Sequence, residues 1–314
     1  MHTNMTTVTT EIMGGLGNQL FQIFNLVAYS FQHKTRFYFP GEPITQGQRK
    51  TTYWDTFFLQ ALKTFVKAPH QAQQEQPLIY HERNFHYEPI PSPPPPKHSL
   101  KFFGYFQSYK YFQEQQDLIY KFIRLRETQA IFREKNRENY DYDYANTVAL
   151  HFRVGDYKNL PNHHPLMTLE YYTAALKQLM QDMTTFTMTV LYFCEQADQD
   201  YIQEKILHPL QQNPLFQNTF TFKCIDHNLS DWEQLIVMSL CQHHIIANST
   251  FSWWGAYLGL GGNPASPTTP VTEIRSTADG QSHHVYYPTT WFGSAMGYKN
   301  LADLFPPHWH RIQV

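Results

Sequence analysis

VALHFRVGDY, residues 148–157, is the stretch whose reading decides the fold. Thr147, Val148, Ala149, Leu150 and Phe152 form a short apolar run, the length of a strand buried on both faces of a parallel sheet. His151, Arg153 and Asp156 follow at its carboxyl end, and Gly155 permits a sharp turn. In open α/β sheets ligands sit in the crevice beyond the carboxyl ends of the strands. A guanidinium there suits a phosphate, because its planar fork bonds two oxygens at once. Asp156 either holds Arg153 or accepts a proton. An ion pair that only ties down a loop would use the same residues.

Working outward, the second half alternates in regular order. The pattern predicts helices over 169–180, 198–207, 232–241 and 252–260, and strands over 186–193, 219–225 and 244–247. Strands alternating with helices imply a parallel, doubly wound sheet. The first half has the same grammar, less clearly. A strand over 7–12 leads into Gly14-Gly15-Leu16-Gly17, and Asn18 is placed to cap a helix carrying Leu20, Phe24, Val27, Ala28 and Phe31. Helices are also expected over 54–65 and 109–124, with a strand over 100–107. Gln71–Gln76 reads as a polar loop and Pro91–Pro96 as a stiff spacer or loop brace. The polar segment 135–145 suggests a boundary, giving domains 1–145 and 146–314. The expected class is α/β: two Rossmann-like doubly wound domains facing across a cleft.

Composition narrows the function. The chain has 314 residues, 42% hydrophobic, with a formal charge of −2. That balance supplies no field to attract nucleic acid. No apolar run of about 18 residues is present, so no transmembrane segment is expected. The three cysteines, Cys194, Cys224 and Cys241, form no CxxC pair and fit a reducing, cytoplasmic setting.

A second loop carries chemistry. Asn248-Ser249-Thr250-Phe251-Ser252 lies between a short strand and the helix expected to open at Ser252. Free N–H groups and three hydroxyls at a helix start make an anion cradle, although plain capping would use the same residues. It would face Arg153 if both loops leave the same sheet edge. Asp141-Tyr142-Asp143 and Asp198-Gln199-Asp200 have the Asp-x-Asp form of metal-dependent sugar transferases, but their positions suggest surface charge. The pairs His163–His164, His243–His244 and His283–His284 lack helical i, i+4 spacing and read as structural or solvent-facing.

Four segments, GGLGNQLFQ (14–22), GYFQSYKYF (104–112), HFRVGDY (151–157) and CQHHIIANSTFSWWGAYL (241–258), resemble the bacterial α-1,2-fucosyltransferases and occur in that family's order. The resemblance implies a GT-B-like fold with an acceptor-side first domain and a second domain binding GDP-β-L-fucose. It implies inverting transfer to the 2-hydroxyl of a galactose-containing acceptor, with no metal and no cofactor beyond the donor. On that model Arg153, Asp156 and His151 are catalytic. Gly15, Gly17, Asn18, Gln19, Arg153, Glu233, Asn248, Ser249, Thr250, Phe251 and Ser252 bind the donor. Tyr105, Gln107 and His164 meet the acceptor. Asp156 is the first choice of general base and His164 the second. Three departures bear on donor preference: Val154 replaces a second arginine, Cys194-Glu195-Gln196 replaces Ser-Asp-Asp, and Glu233-Gln234 replaces Glu-Asp. A different nucleotide sugar, or a glycan-binding protein without catalysis, are the competing expectations.

Overall fold

The computed structural model describes residues 5–41, 52–67, 77–95, 98–140, 142–183, 187–259 and 283–314. The expected loop Gln71–Gln76, together with Pro96 and Asp141, lies outside them. The chain divides into two compact α/β units, one of residues 1–128 and 300–306, the other of residues 129–299 and 307–314.

Among the described residues the first unit holds strands β1 (Thr7–Thr10), β2 (Arg36–Pro40), β3 (Val66–Lys67), β4 (Leu78–His81) and β5 (Ser99–Phe103). Their spatial order is β3-β2-β1-β5-β4, and every pairing is parallel. Helix Leu16–His33 packs Leu20, Phe21, Phe24 and Val27 into the core, each with no exposed surface. The proline-rich stretch acts as a brace: the Tyr29 hydroxyl donates to the Pro91 carbonyl at 2.7 Å and the Thr6 hydroxyl to that of Pro94 at 2.8 Å.

The second unit holds β6 (Thr147–His151), β7 (Met188–Phe193), β8 (Phe220–Cys224), β9 (His243–Ile245), β10 (Val285–Pro288) and β11 (His310–Ile312). The order is β11-β10-β9-β6-β7-β8, again all parallel. The chain starts at β6, winds outward through β7 and β8, then returns to β9 on the other side of β6. This is the two-halved winding of dinucleotide-binding sheets, and its switch point lies between β6 and β9. Val148, Leu150, Phe152 and Val154 share one face of β6 and its extension and enter one apolar cluster. Truncating a fully buried member such as Leu150 to Ala would cost about 2–5 kcal/mol. The helix Leu169–Asp182 covers that cluster with Tyr171, Tyr172, Ala175, Leu176 and Leu179.

Several expectations need correcting. Helix Leu16–His33 starts two residues before Asn18, with Gly15 at its N-cap and no side-chain cap. Residues 57–65 wind as a 3₁₀ helix. The run 109–124 is broken into two short 3₁₀ turns, the helix Gln116–Phe122 and a left-handed Arg124. The polar stretch near 135 belongs to a helix, Leu125–Tyr140, whose exposed face is charged and whose Thr128, Gln129 and Phe132 are buried. No helix among the described residues is long and apolar enough to cross a membrane.

Candidate active site

The β6–β7 register builds the centre of the site. His151 pairs with Phe193, and Phe152 N–H donates to the Phe193 carbonyl at 2.9 Å. Two residues further on, the side chains of Arg153 and Glu195 project from the same side and meet: Nη1 donates to Glu195 Oε1 at 2.7 Å. Nη2 donates to Asp156 Oδ1. The guanidinium also lies over the Tyr157 ring, 4.7 Å from its centroid. Its side chain is only 21% exposed, whereas Glu195 and Asp156 are 61% and 54% exposed. A partly buried cation is thus aimed by two solvated carboxylates.

The turn carrying Asp156 is itself anchored. Asp198, expected as surface charge, is buried, and that expectation fails. Its Oδ2 accepts from Gly155 N–H at 2.7 Å and its Oδ1 from Lys158 Nζ at 2.8 Å. Gly155 has φ of +34°, and a Cβ there would lie 3.1 Å from Glu195 Oε1 and 3.3 Å from Arg153 Nη1. Glycine suits both the left-handed backbone and that approach. Val154, where the resembled family usually has arginine, is buried in the apolar cluster. It points away from the Arg153 side of the extended chain, so it packs where a second arginine would bury its charge.

His151 is buried, with its ring 5.5 Å from that of Phe251. Burial, reinforced by the Arg153 charge, pushes its pKa down to about 3, so the imidazole is neutral near pH 7. Its Nδ1 has no hydrogen-bond partner in the structure.

Across the switch point, β9 delivers the second loop. The helix Thr250–Tyr257 begins earlier than expected, with Ser249 as N-cap; its hydroxyl accepts from Phe251 N–H at 3.3 Å. Ser252 is fully buried, and its hydroxyl donates to the Ala247 and Ser249 carbonyls, at 3.4 and 3.3 Å. Its hydroxyl therefore serves the turn rather than an open cradle. Asn248 Nδ2 donates to the carbonyls of Pro165, at 2.9 Å, and Trp291, at 3.2 Å. It thereby pins the His164 loop, where His164 stacks on Tyr157 with centroids 4.7 Å apart. Tyr157 Oη donates to the Asn248 carbonyl at 3.3 Å. The Arg153 loop and the 248–252 loop are thus in direct contact at one sheet edge.

Glu233, expected among the donor-binding residues, has a local structural task in this structure. Its carboxylate closes a capping box on helix Asp231–Leu240, accepting from Ser230 N–H at 3.0 Å and Ser230 Oγ at 2.7 Å.

The first unit repeats the plan at its own switch point, between β1 and β5. Gln107 Nε2 donates to Asn18 Oδ1 at 3.0 Å, joining the loop after β5 to the loop after β1. Gln22 clamps Met13 through both its N–H, at 2.8 Å, and its carbonyl, at 3.0 Å. Gln19 Nε2 donates to the Gly14 carbonyl at 2.9 Å, and the space where a Cβ of Gly15 would point is open. Gly17 is buried in the first helical turn. Tyr105 is exposed, and its N–H donates to Glu82 Oε2 at 2.8 Å. Glu195, Asp198 and Tyr157 are the site residues that the sequence reading did not assign. A usable signal existed for Glu195, which follows its strand by the same offset as Arg153 follows β6.

Comparison with known proteins gives the family and the fold. The family model described as glycosyl transferase family 11 matches residues 4–265. An α-1,2-colitosyltransferase of Escherichia coli is 27% identical over 81% of this chain and 88% of its own length. The O-antigen biosynthesis glycosyltransferase WbnK of Escherichia coli is 26% identical over 52% of this chain and 51% of its own. Among solved structures, the fucosyltransferase NodZ from Bradyrhizobium superposes with a TM-score of 0.50 at 10% identity, covering 82% of this chain and 94% of NodZ. That likeness concerns the fold, a GT-B-like pair of parallel α/β sheets. With a family match spanning most of its length, the chain belongs to glycosyl transferase family 11.

Proposed function

We propose that this glycosyltransferase moves L-fucose from GDP-β-L-fucose to the 2-hydroxyl of a galactose-containing acceptor, with inversion and without a catalytic metal. The observation that carries the reading is the contact of the Arg153 loop with the 248–252 loop at the β6/β9 switch point. A diphosphate seated there meets one fixed guanidinium and the positive end of a helix. The acceptor hydroxyl attacks the anomeric carbon as the bond to the diphosphate oxygen breaks and GDP leaves with the electron pair. Charge building on that oxygen is offset by Arg153 and by the helix N–H groups, which are already oriented when the reaction starts. The hydroxyl proton passes to a carboxylate within reach. Asp156 fits that task because it is half exposed beside the guanidinium. His151, neutral and with an unpaired Nδ1, is suited to a hydrogen bond with the donor and not to proton uptake. Residues 14–19 with Gln107 and Tyr105 provide sugar and acceptor contacts.

A colitose donor is the second reading, favoured by the 27% identity to the colitosyltransferase. Incubation with GDP-fucose, GDP-colitose and other nucleotide sugars over a galactoside panel separates the two, with product linkage read by NMR. Fucose on O2 of galactose is expected. Turnover with another donor alone would remove the fucose reading.

A further inference from the structure

Outside the diphosphate region, the carboxyl ends of β7 and β8 bring together three side chains that the proposed reaction does not use. Cys194 follows β7, Cys224 closes β8, and His227 lies three residues later in the turn toward helix Asp231–Leu240. Their ligand atoms, two Sγ and one ring nitrogen, all lie within 4.8 Å of one another. Cys224 Sγ and His227 Nε2 are 3.4 Å apart. Cys194 is buried, while Cys224 and His227 are half-buried, which leaves one side of the group open to solvent.

These numbers suit a soft divalent cation. Zinc takes Cys sulfur at about 2.3 Å and His nitrogen at about 2.0–2.1 Å in a tetrahedron, so its S···N edges are roughly 3.5 Å and its S···S edge roughly 3.8 Å. One edge is already at that length, and the others need a closure of about 1.3 Å at most. The Cys-x-x-His step sets both ligand atoms in one turn, 3.4 Å apart. Gln199 completes the group: its Nε2 sits 2.8 Å from His227 Nε2 and 3.4 Å from Cys224 Sγ, on the lone pairs an ion would take. A half-turn of the amide exchanges its nitrogen for its oxygen.

We infer that Cys194, Cys224 and His227 form a zinc-binding site, with the Gln199 amide oxygen as the fourth donor. Binding replaces the two thiol protons, which pass to solvent, with two metal–sulfur bonds. The site is structural, since its four protein donors leave no open position. Cys194 directly precedes Glu195, so the ion fixes the backbone that holds the Arg153 partner. The site is independent of the donor assignment above.

The test uses the full chain, stripped with a chelator under reducing conditions and titrated with Co²⁺, then with Zn²⁺ in competition. One equivalent is expected, with thiolate-to-cobalt charge-transfer absorption that Zn²⁺ abolishes. Cys224→Ser and His227→Gln should each weaken binding by more than the ~100-fold that outer-shell changes reach, with unchanged circular dichroism of the metal-free chain. Zn²⁺ should slow alkylation of Cys194 and Cys224. The inference is overturned if no thiolate band forms. It is equally overturned if Cys224→Ser binds as tightly as the parent, which would place the ion at the Asp182, His284 and His310 group. A Cys194–Cys224 disulfide in protein purified without reductant, persisting on exposure to Zn²⁺ and mild thiol, would also overturn it.

Discussion

Replacing Arg153 by Lys tests whether the guanidinium acts as a shaped group or only as a charge. In the structure one terminal nitrogen donates to Glu195 at 2.7 Å while the other donates to Asp156. A lysine ammonium is a single point on a flexible stem and cannot hold both carboxylates in that planar geometry. Arg153→Lys therefore loses about one charge-assisted hydrogen bond. Such bonds are worth about 1.5–3 kcal/mol, and the exposure of both carboxylates argues for the lower figure. About 1.5 kcal/mol corresponds to a roughly tenfold fall in kcat/KM. Arg153→Ala removes the charge as well and resembles the loss of an oxyanion donor, a fall of about 10²–10³. The assay is steady-state transfer with the accepted donor, alongside calorimetric GDP affinity and a thermal melt to verify folding. The expected order is wild type, Lys, Ala, with GDP affinity falling in the same order. Wild-type kcat/KM and GDP affinity in a folded Arg153→Ala enzyme would refute the role of the guanidinium. Equal losses in Lys and Ala would refute the separation of charge from shape.

Asp198→Ala leaves the half-buried Gly155 N–H without its acceptor and should cost about 1–3 kcal/mol in urea unfolding, with loss of activity as the Asp156 turn loosens. Asp198→Asn keeps an acceptor and should fall between; an Ala variant as stable as the parent would remove the anchor role. Gly293→Ala should destabilise by about 1–3 kcal/mol and raise the acceptor KM, because a Cβ would lie 2.3 Å from the backbone oxygen of Asn162 and push away the His164 loop; an unchanged melt and KM would contradict it. Burial holds the folded-state pKa of His151 and His243 at about 3 and of His244 at about 4, below the ordinary 6.5. Between those limits the unfolded chain binds more protons, so stability is full above pH 6.5 and declines as pH falls toward about 3. His244→Gln should flatten the urea midpoint against pH between 6.5 and 5, and an unchanged slope would refute the assignment.

How much of this was legible in the chain differs by element. The strands around 148–152, 188–193 and 220–224, and the helices between them, follow from apolar runs and helical spacing that tertiary contacts reinforce. The site loops were legible for the same reason: in a parallel sheet the segment after a buried strand must emerge at the carboxyl edge, so 151–157 and 248–252 declared themselves. The broken helix near 109–124 was not, because Phe112 and Tyr120 are drawn into the aromatic core around Phe24 at the expense of helical continuity. Nor were β10 and β11, which fall after the last strand and helix that the alternation predicts.

What the sequence by itself determined is local: which segments are apolar enough to be buried, and which polar residues follow them. What only the tertiary structure decided is adjacency. The return of β9 to the side of β6, and the register that sets Arg153 beside Glu195, pair residues 42 and about 90 positions apart. Asp198 became a buried anchor, and Glu233 a capping residue, through the same long-range placement. A side chain's spacing along the chain fixes the direction in which it points. The partner it meets depends on strand order, which is set by the burial of whole sheets and is not written in any one segment.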